Sequence, residues 1–372
     1  MIPVNQPLLD GNELKYLTEC VESGWISSEG PFVKRFEQQF AARVGRQHGL
    51  AVANGTAALQ LAVEALDLAP GDEVLIPSFT IISCASCLVR AGLKPVPVDC
   101  DPHTMNAEAA HFEAAITPRT RAIMVVHIYG LPVDMDPVLE LARKHDLLVI
   151  EDAAEAIGQT YKGRPCGSFG DVSVVSFYPN KHVTTGEGGM VLCDKNDIHE
   201  RAALLRDLAF VPERRFVHEE LGWNYRMTNM QAALGVAQLE QLDRNVERKR
   251  QIGRKYNEVL RDLERATLPL ESTDYAENIY WAYTIVLDEN LEANAKAAMA
   301  ALGAKGVGTR PFFWPMHEQP ILRKMFPDYA EMSLPVSEHL ARKGFYIPCG
   351  LGLDLAEIPQ IGEAVRRAIQ EL

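Results

Sequence analysis

From Glu73 onward, short apolar runs alternate with stretches whose apolar residues recur every three or four positions. The runs Glu73 to Ile76, Pro95 to Val98, Ala122 to Val126 and Leu147 to Ile150 have the length of strands. Their nearly continuous apolar character is that of parallel strands covered on both faces. Helical spacing between them predicts helices over 81–91, 107–115 and 136–145. This alternation predicts an α/β domain with a mainly parallel central sheet and helices on both faces. Upstream, 11–22, 31–44 and Ala57 to Leu66 read as helices, with a Ser/Gly/Pro loop from Gly24 to Pro31. Val172 to Val175 and Met190 to Cys193 read as two more strands. A helix over 196–207 and a long helical region from about Thr228 to Leu263 follow. The C-terminal remainder, with a strand over Trp281 to Leu287 and a helix over 293–302, predicts a smaller α+β unit. Two domains result, 1–245 and 246–372, with the boundary inside the long helix.

Composition narrows the function classes. A chain of 372 residues with 47% hydrophobic and 23% charged residues is expected to be globular and to build a sizeable core. A net charge of −13 argues against a basic nucleic-acid-binding face. No apolar run approaches the roughly 18 to 20 residues of a membrane span. Met1 to Gln6 lacks the basic start and apolar stretch of a signal peptide, so a cytoplasmic protein is expected. Seven cysteines, an odd number in mostly apolar contexts, fit reduced buried thiols. Cys84 and Cys87 have CxxC spacing, but no second pair exists to complete a metal site. Core packing is the expected role, with redox work and metal binding as alternatives; no metal is expected.

Three segments carry candidate chemistry. Ser176-Phe177-Tyr178-Pro179-Asn180-Lys181 follows one predicted strand, and Thr184-Thr185-Gly186-Glu187-Gly188-Gly189 leads into the next. A lysine held at a strand end and partly dried becomes a nucleophile toward an aldehyde. The alternative is a surface lysine in a glycine-rich turn. Glu151 and Asp152 fall at the end of the Leu147 to Ile150 strand, where ligands collect in open α/β sheets. A carboxylate there can keep the ring nitrogen of pyridoxal phosphate protonated. Asp152 is the candidate, being one residue further past the strand; its other role would be to cap a helix starting near Ala153. Gly55 and Thr56 stand at the start of the 57–66 helix, whose exposed amides suit a phosphate. Ordinary helix capping is the alternative.

In this order the segments resemble the DegT/StrS-type sugar-nucleotide aminotransferases, which are fold type I pyridoxal-phosphate enzymes. The resemblance runs from Ile2 to about Leu353. It rests on Asn54-Gly55-Thr56, Gly71-Asp72-Glu73-Val74, Val126-His127-Ile128-Tyr129-Gly130, Glu151-Asp152-Ala153-Ala154, the Thr184 to Gly189 run and Asn224-Tyr225-Arg226-Met227. The members forming GDP-perosamine resemble it most, through Trp25 to Gly30, Glu151 to Ala156 and Thr309 to Phe312. The resemblance implies pyridoxal phosphate as cofactor, Lys181 as its covalent partner and proton carrier, and Ser176, Gly55 and Thr56 at its phosphate. It implies a homodimer with active sites at the interface, where Asn224 reaches the neighbouring subunit's phosphate. Glu155 stands where many relatives have His or Gln, at the cofactor's phenolic oxygen or the sugar. Relatives usually set an aromatic over the ring where this chain has Ile81; its aromatic is Phe79. Ser28, Arg310, Phe313 and His317 are candidates for the sugar nucleotide, Arg310 for its diphosphate. A solvated surface charge is the alternative for Arg310, and a structural role for His317. L-glutamate is the implied donor and a nucleotide-linked 4-keto-6-deoxy sugar the acceptor, in surface-polysaccharide synthesis. Relatives that dehydrate the sugar carry His where this chain has Lys181, so transamination is expected over dehydration. A non-catalytic relative is a further alternative.

Overall fold

The computed structural model of the protein describes residues 1–211 and 214–372. Two helices, α1 (Glu13–Ser23) and α2 (Pro31–Val44), precede the first strand. Helix α2 starts with Pro31 at its first position, where a missing N–H costs nothing, and ends at the left-handed Gly45. Phe32, Phe36 and Phe40, four residues apart, line its buried face. Burying each ring stabilises by about 1.5–3 kcal/mol.

The alternating region follows as β1 (His48–Val52), α3 (Gly55–Glu64), β2 (Glu73–Pro77), α4 (Ile82–Arg90), β3 (Lys94–Val98), α5 (Ala109–Glu113), β4 (Thr120–Val126), α6 (Met135–Lys144) and β5 (Leu148–Asp152). A short hairpin, β6 (Thr160–Tyr161) and β7 (Arg164–Pro165), leads to β8 (Val172–Ser176) and β9 (Gly189–Cys193). Seven of these strands form one sheet in the order β1-β9-β8-β5-β4-β2-β3. The pairs from β8 to β3 are parallel, while β9 runs antiparallel to both its neighbours. The sheet is α/β and mostly parallel, as the alternation predicts. Successive residues point to opposite faces. Val74, Ile76, Met124, Ile150 and Val174 join one apolar cluster with α3 and α4. Leu75, Ile123, Val125 and Val149 join another with α6 on the opposite face.

After α7 (Asn196–Arg206), the expected single helical region is two helices, α8 (Asn229–Leu239) and α9 (Leu242–Leu260). They break at Glu240–Gln241, where the Ala- and Gly-rich sequence of α8 gives way to the charged sequence of α9. Buried α8 packs on α1 and α2, whereas α9 must leave that layer. Val246 still packs with α1, α2 and α8, but Ile252, Tyr256 and Leu260 belong to the C-terminal core.

That core surrounds a second, antiparallel sheet in the order β10-β11-β13-β12. Its elements are β10 (Ala266–Thr267), β11 (Tyr283–Leu287), α10 (Ala295–Ala304), β12 (Arg310–Pro311), α11 (Pro320–Met325), α12 (Pro335–Lys343), β13 (Gly344–Ile347) and α13 (Ile358–Gln370). The first residues of the chain lie against this C-terminal part. Ile2 N–H donates to Gly306 O at 2.8 Å, and Val4 O accepts from Cys349 N–H at 3.1 Å. Two expected helices differ: 107–115 narrows to α5, and no helix follows Asp152, where turns run through Ala154 to Gly158. No helix among the described residues is long and apolar enough to cross a membrane.

Candidate active site

A cavity of about 800 Å³ opens at the C-terminal ends of β2, β5 and β8 and is closed on its far side by the C-terminal part. This is the crevice where parallel strand ends leave room for a ligand. Gly55, Thr56, Ile81, Asp152, Glu155, Ser176, Lys181, Arg310 and Phe313 all line it.

Strand parity decides between the two adjacent carboxylates. Asp152 shares the face of Ile150, toward α3 and α4, and reaches the cavity. Glu151 points through the other face. It accepts from Gly167 and Phe169 N–H at 2.6 and 2.7 Å and pairs with His127 Nε2 at 2.9 Å. His127 Nδ1 in turn accepts from Val133 N–H at 3.0 Å, so this buried network is internally satisfied. Asp152 Oδ1 accepts from Ala154 N–H at 3.0 Å, a turn contact rather than a helix cap, and Oδ2 accepts from the Cys84 thiol at 3.5 Å. Burial raises its pKa, against the Ala154 N–H bond and the Lys181 charge, which favour the carboxylate.

Asn54 starts α3 in extended backbone and caps it, Oδ1 accepting from Ala57 N–H at 2.8 Å. Gly55 lies against the end of β8: a Cβ there would sit 2.8 Å from Ser176 Cβ and 3.1 Å from its Oγ. The close approach puts free first-turn amides beside the Ser176 hydroxyl, a cradle suited to a phosphate. Thr56 Oγ1 lies 3.0 Å from Ser83 Oγ on α4.

Lys181 sits in the loop between β8 and β9, its backbone N–H donating to Tyr178 O at 2.9 Å. The Thr-Thr-Gly run folds the rest of this loop back on β8, with Thr184 Oγ1 donating to Phe177 O at 2.9 Å. Lys181 Nζ lies 3.7 Å from Glu155 Oε1 and 4.1 Å from the centre of the Trp281 ring. Burial lowers its pKa, against the pull of Glu155 and Asp152. Burial pushes Glu155 up to about 7, against the Lys181 charge. Burial thus acts against the charged form of both groups, while each group's charge favours the charged form of the other. The neighbouring His182 points away, Nε2 at 3.3 Å from Ile279 O.

Ile81 stands half-exposed at the cavity wall, while Phe79 is fully buried against Tyr129, Phe312 and Phe313. The cavity cover at that point is therefore aliphatic. Three candidates lie elsewhere. His317 does not face the cavity: it is fully buried, with Nδ1 at 2.8 Å from Ser78 Oγ and Nε2 at 3.1 Å from Glu338 Oε1. Both ring nitrogens have partners that join the turn after β2 to α12, an arrangement that fits the structural role. Asn224 is exposed and bridges to Asp207, and Ser28 lies in a turn; neither lines the cavity of the single chain.

Sequence reasoning missed Trp281, Tyr346, Thr80 and Ser83, which also line the cavity. Thr80 and Ser83 follow the C-terminal end of β2, so the rule that found Asp152 would have found them. Trp281 and Tyr346 come from the C-terminal sheet, and no local pattern marks them. The Cys84–Cys87 pair is buried in α4, and all seven cysteines are free and buried.

The family profile described as the DegT/DnrJ/EryC1/StrS aminotransferase family matches residues 7–366. The chain is 43% identical over 372 residues to a GDP-perosamine synthase of Caulobacter vibrioides, covering 99% of this chain and 98% of that protein. It is 38% identical over 370 residues to a GDP-perosamine synthase of Vibrio cholerae, covering 98% of each. Among solved structures it resembles the aminotransferase TlmJ from Streptoalloteichus hindustanus, with a TM-score of 0.91 and 31% identity over 100% of this chain and 99% of that one.

Proposed function

Because the chain belongs to the DegT/DnrJ/EryC1/StrS aminotransferase family, we propose that it moves an amino group from L-glutamate to GDP-4-keto-6-deoxymannose, giving GDP-perosamine. It is a pyridoxal-phosphate-dependent enzyme. Bound pyridoxal phosphate supplies an aldehyde for a primary amine and a ring that takes up electrons from the adjacent carbon. The Gly55 and Thr56 amides and the Ser176 hydroxyl would hold its phosphate. Asp152, buried and aimed into the same cavity as Lys181, would keep the ring nitrogen protonated. Ile81 would cover the ring and exclude water.

Lys181 provides the amine, its free-base form favoured by burial, and carries a proton at Nζ between donor and sugar carbon. Arg310 and Phe313, at the exposed side of the cavity, would take the diphosphate and the sugar or base. We assign Ser28 and Asn224 to a neighbouring subunit's site in a homodimer, where an exposed loop from one copy meets the cavity of the other. We take the domain boundary to lie within α9, near residue 245. Seven buried free thiols fit a cytoplasmic enzyme, and the product suits O-antigen or another surface polysaccharide.

The single observation that carries the reading is Lys181 and Asp152 on one cavity beside the Gly55–Ser176 cradle. Purified enzyme is assayed with glutamate and a panel of GDP-, UDP- and dTDP-linked 4-keto-6-deoxy sugars. Mass spectrometry should detect a GDP-amino sugar and 2-oxoglutarate. A UDP- or dTDP-amino sugar would reassign the base, and a deoxy-keto sugar without nitrogen would mean dehydration instead.

A further inference from the structure

The amine of Lys181 has one carboxylate within ion-pair reach among the described residues, and it is the side chain of Glu155. We propose that Glu155 is a catalytic residue whose Oε1 takes the proton Lys181 releases and returns it later in turnover; this rests on the aminotransferase reading. In the exchange an N–H bond of the Lys181 ammonium breaks and an O–H bond forms on the Glu155 carboxylate. The products are a neutral amine and a neutral carboxylic acid, and nothing is oxidised or reduced.

The geometry fixes the carboxyl group for this task. Glu155 Oε2 accepts from Tyr129 N–H at 3.0 Å, which leaves Oε1 toward Nζ. Tyr129 has left-handed backbone, φ 54°, a conformation costly for a residue with a Cβ. Its ring is held in a stack with Trp281, 5.7 Å between centres, and Phe313, 5.5 Å. Trp281 also covers Nζ, so the indole blocks one approach to the amine while Glu155 takes another.

Other charged or titratable groups around the pair are less suited. Asp152, at the end of β5, already accepts from Ala154 N–H and the Cys84 thiol. Tyr346 on β13 and Arg310 on β12 face the cavity, but burial raises the Tyr346 hydroxyl to about 12 and a guanidinium has no acceptor atom. His182 makes its contact at Ile279 O, away from the amine. Glu155 near 7 and a lowered Lys181 bring both partners of the exchange toward neutrality.

The test uses the cofactor-free full chain, acetic anhydride over a pH series, and site-resolved mass spectrometry of Lys181. Wild type should label at Lys181 with a midpoint well below that of its surface lysines. In Glu155→Gln the charge that favours the ammonium is gone, so labelling at neutral pH should become faster. The same variant, loaded with cofactor, should lose kcat on the order of 10²-fold or more. The acid-side limb of its kcat–pH profile should flatten. A merely structural role would lower kcat without accelerating labelling, and that pattern would overturn the proposal. So would an unchanged pH profile. If the variant does not fold, wild type decides alone: a Lys181 midpoint equal to that of surface lysines refutes the exchange. Labelling as expected with no amino transfer to any sugar nucleotide would count against the transferase reading and leave the amine–acid pair standing.

Discussion

Gly55→Ala tests the phosphate cradle with a single methyl group. The new Cβ would meet Ser176 Cβ at 2.8 Å and Oγ at 3.1 Å. Carbon atoms rest best at about 3.5–4.0 Å, so the helix start or the strand end must give way. Neither can do so freely. Ser176 is paired in register with Gly189 on β9, and a Cβ on Gly189 would itself lie 2.7 Å from Asn54 O. Overpacking of this kind costs about 1–3 kcal/mol. For a chain of this length that is a fall in Tm of roughly 1–4 °C, measured without cofactor. The methyl also pushes the first-turn amides away from the hydroxyl. Loss of one hydrogen bond to a charged phosphate costs about 1.5–3 kcal/mol, a roughly 10- to 150-fold rise in the Kd for pyridoxal phosphate. An absorbance titration reads this directly. Ser176→Gly removes the atoms that clash along with one phosphate donor. In the double variant the Tm should recover while the affinity does not, so the two single effects are non-additive in stability. Wild-type Tm and Kd in Gly55→Ala would refute the cradle, as would a double variant no more stable than the single.

Lys181→Ala should lower turnover on the order of 10²–10⁴-fold and abolish the cofactor band that borohydride removes from wild type; undiminished turnover is incompatible with the mechanism. His317→Ala should cost about 1–3 kcal/mol in urea unfolding, because Ser78 and Glu338 lose a buried partner. Its kcat/KM should stay within a few-fold of wild type, and a large selective rise in KM would return His317 to the substrate site. His182 sets an acid limit on stability, since burial holds its pKa down at about 3, with the Lys249 charge acting in the same direction. The unfolded ring takes a proton near 6.5, so this contribution is intact above pH 6.5 and drains as pH falls toward 3, by about 1.4 kcal/mol per pH unit. His182→Asn should flatten the dependence of urea stability on pH between 6 and 4, and an unchanged slope would show that the ring is not buried neutral.

Much of the site was legible because its parts lie at strand ends. A run of four buried apolar residues fixes a strand, and the period of two then fixes which neighbour faces which side. Asp152 was found as the acid further past one such strand, Lys181 by the loop joining two others, and Gly55 by its place at a helix start. The same logic fails for residues whose setting is made by distant chain. His317 carries no mark of its burial, because Ser78 and Glu338 come from the turn after β2 and from α12. The pairing of Glu155 with Lys181 depends on Tyr129 N–H, which arrives from the end of β4. The break between α8 and α9 follows from two cores competing for one helical stretch.

The sequence by itself determined the six central strands from β2 to β9 that flank the site, their alternation with helices, and which amine and acid stand at their ends, but not β1 or most of the C-terminal sheet. These are local properties, written in the spacing of apolar residues and in the chemistry of a few turn positions. The tertiary structure alone decided that β9 runs against its neighbours and that the first residues of the chain lie against its C-terminal part. It also decided that Trp281 and Tyr346 close the cavity over Lys181. Apart from the β8–β9 pairing, those outcomes depend on contacts between residues a hundred or more positions apart. Such contacts are chosen by the shape and burial of the whole fold, and no short stretch of sequence carries that information.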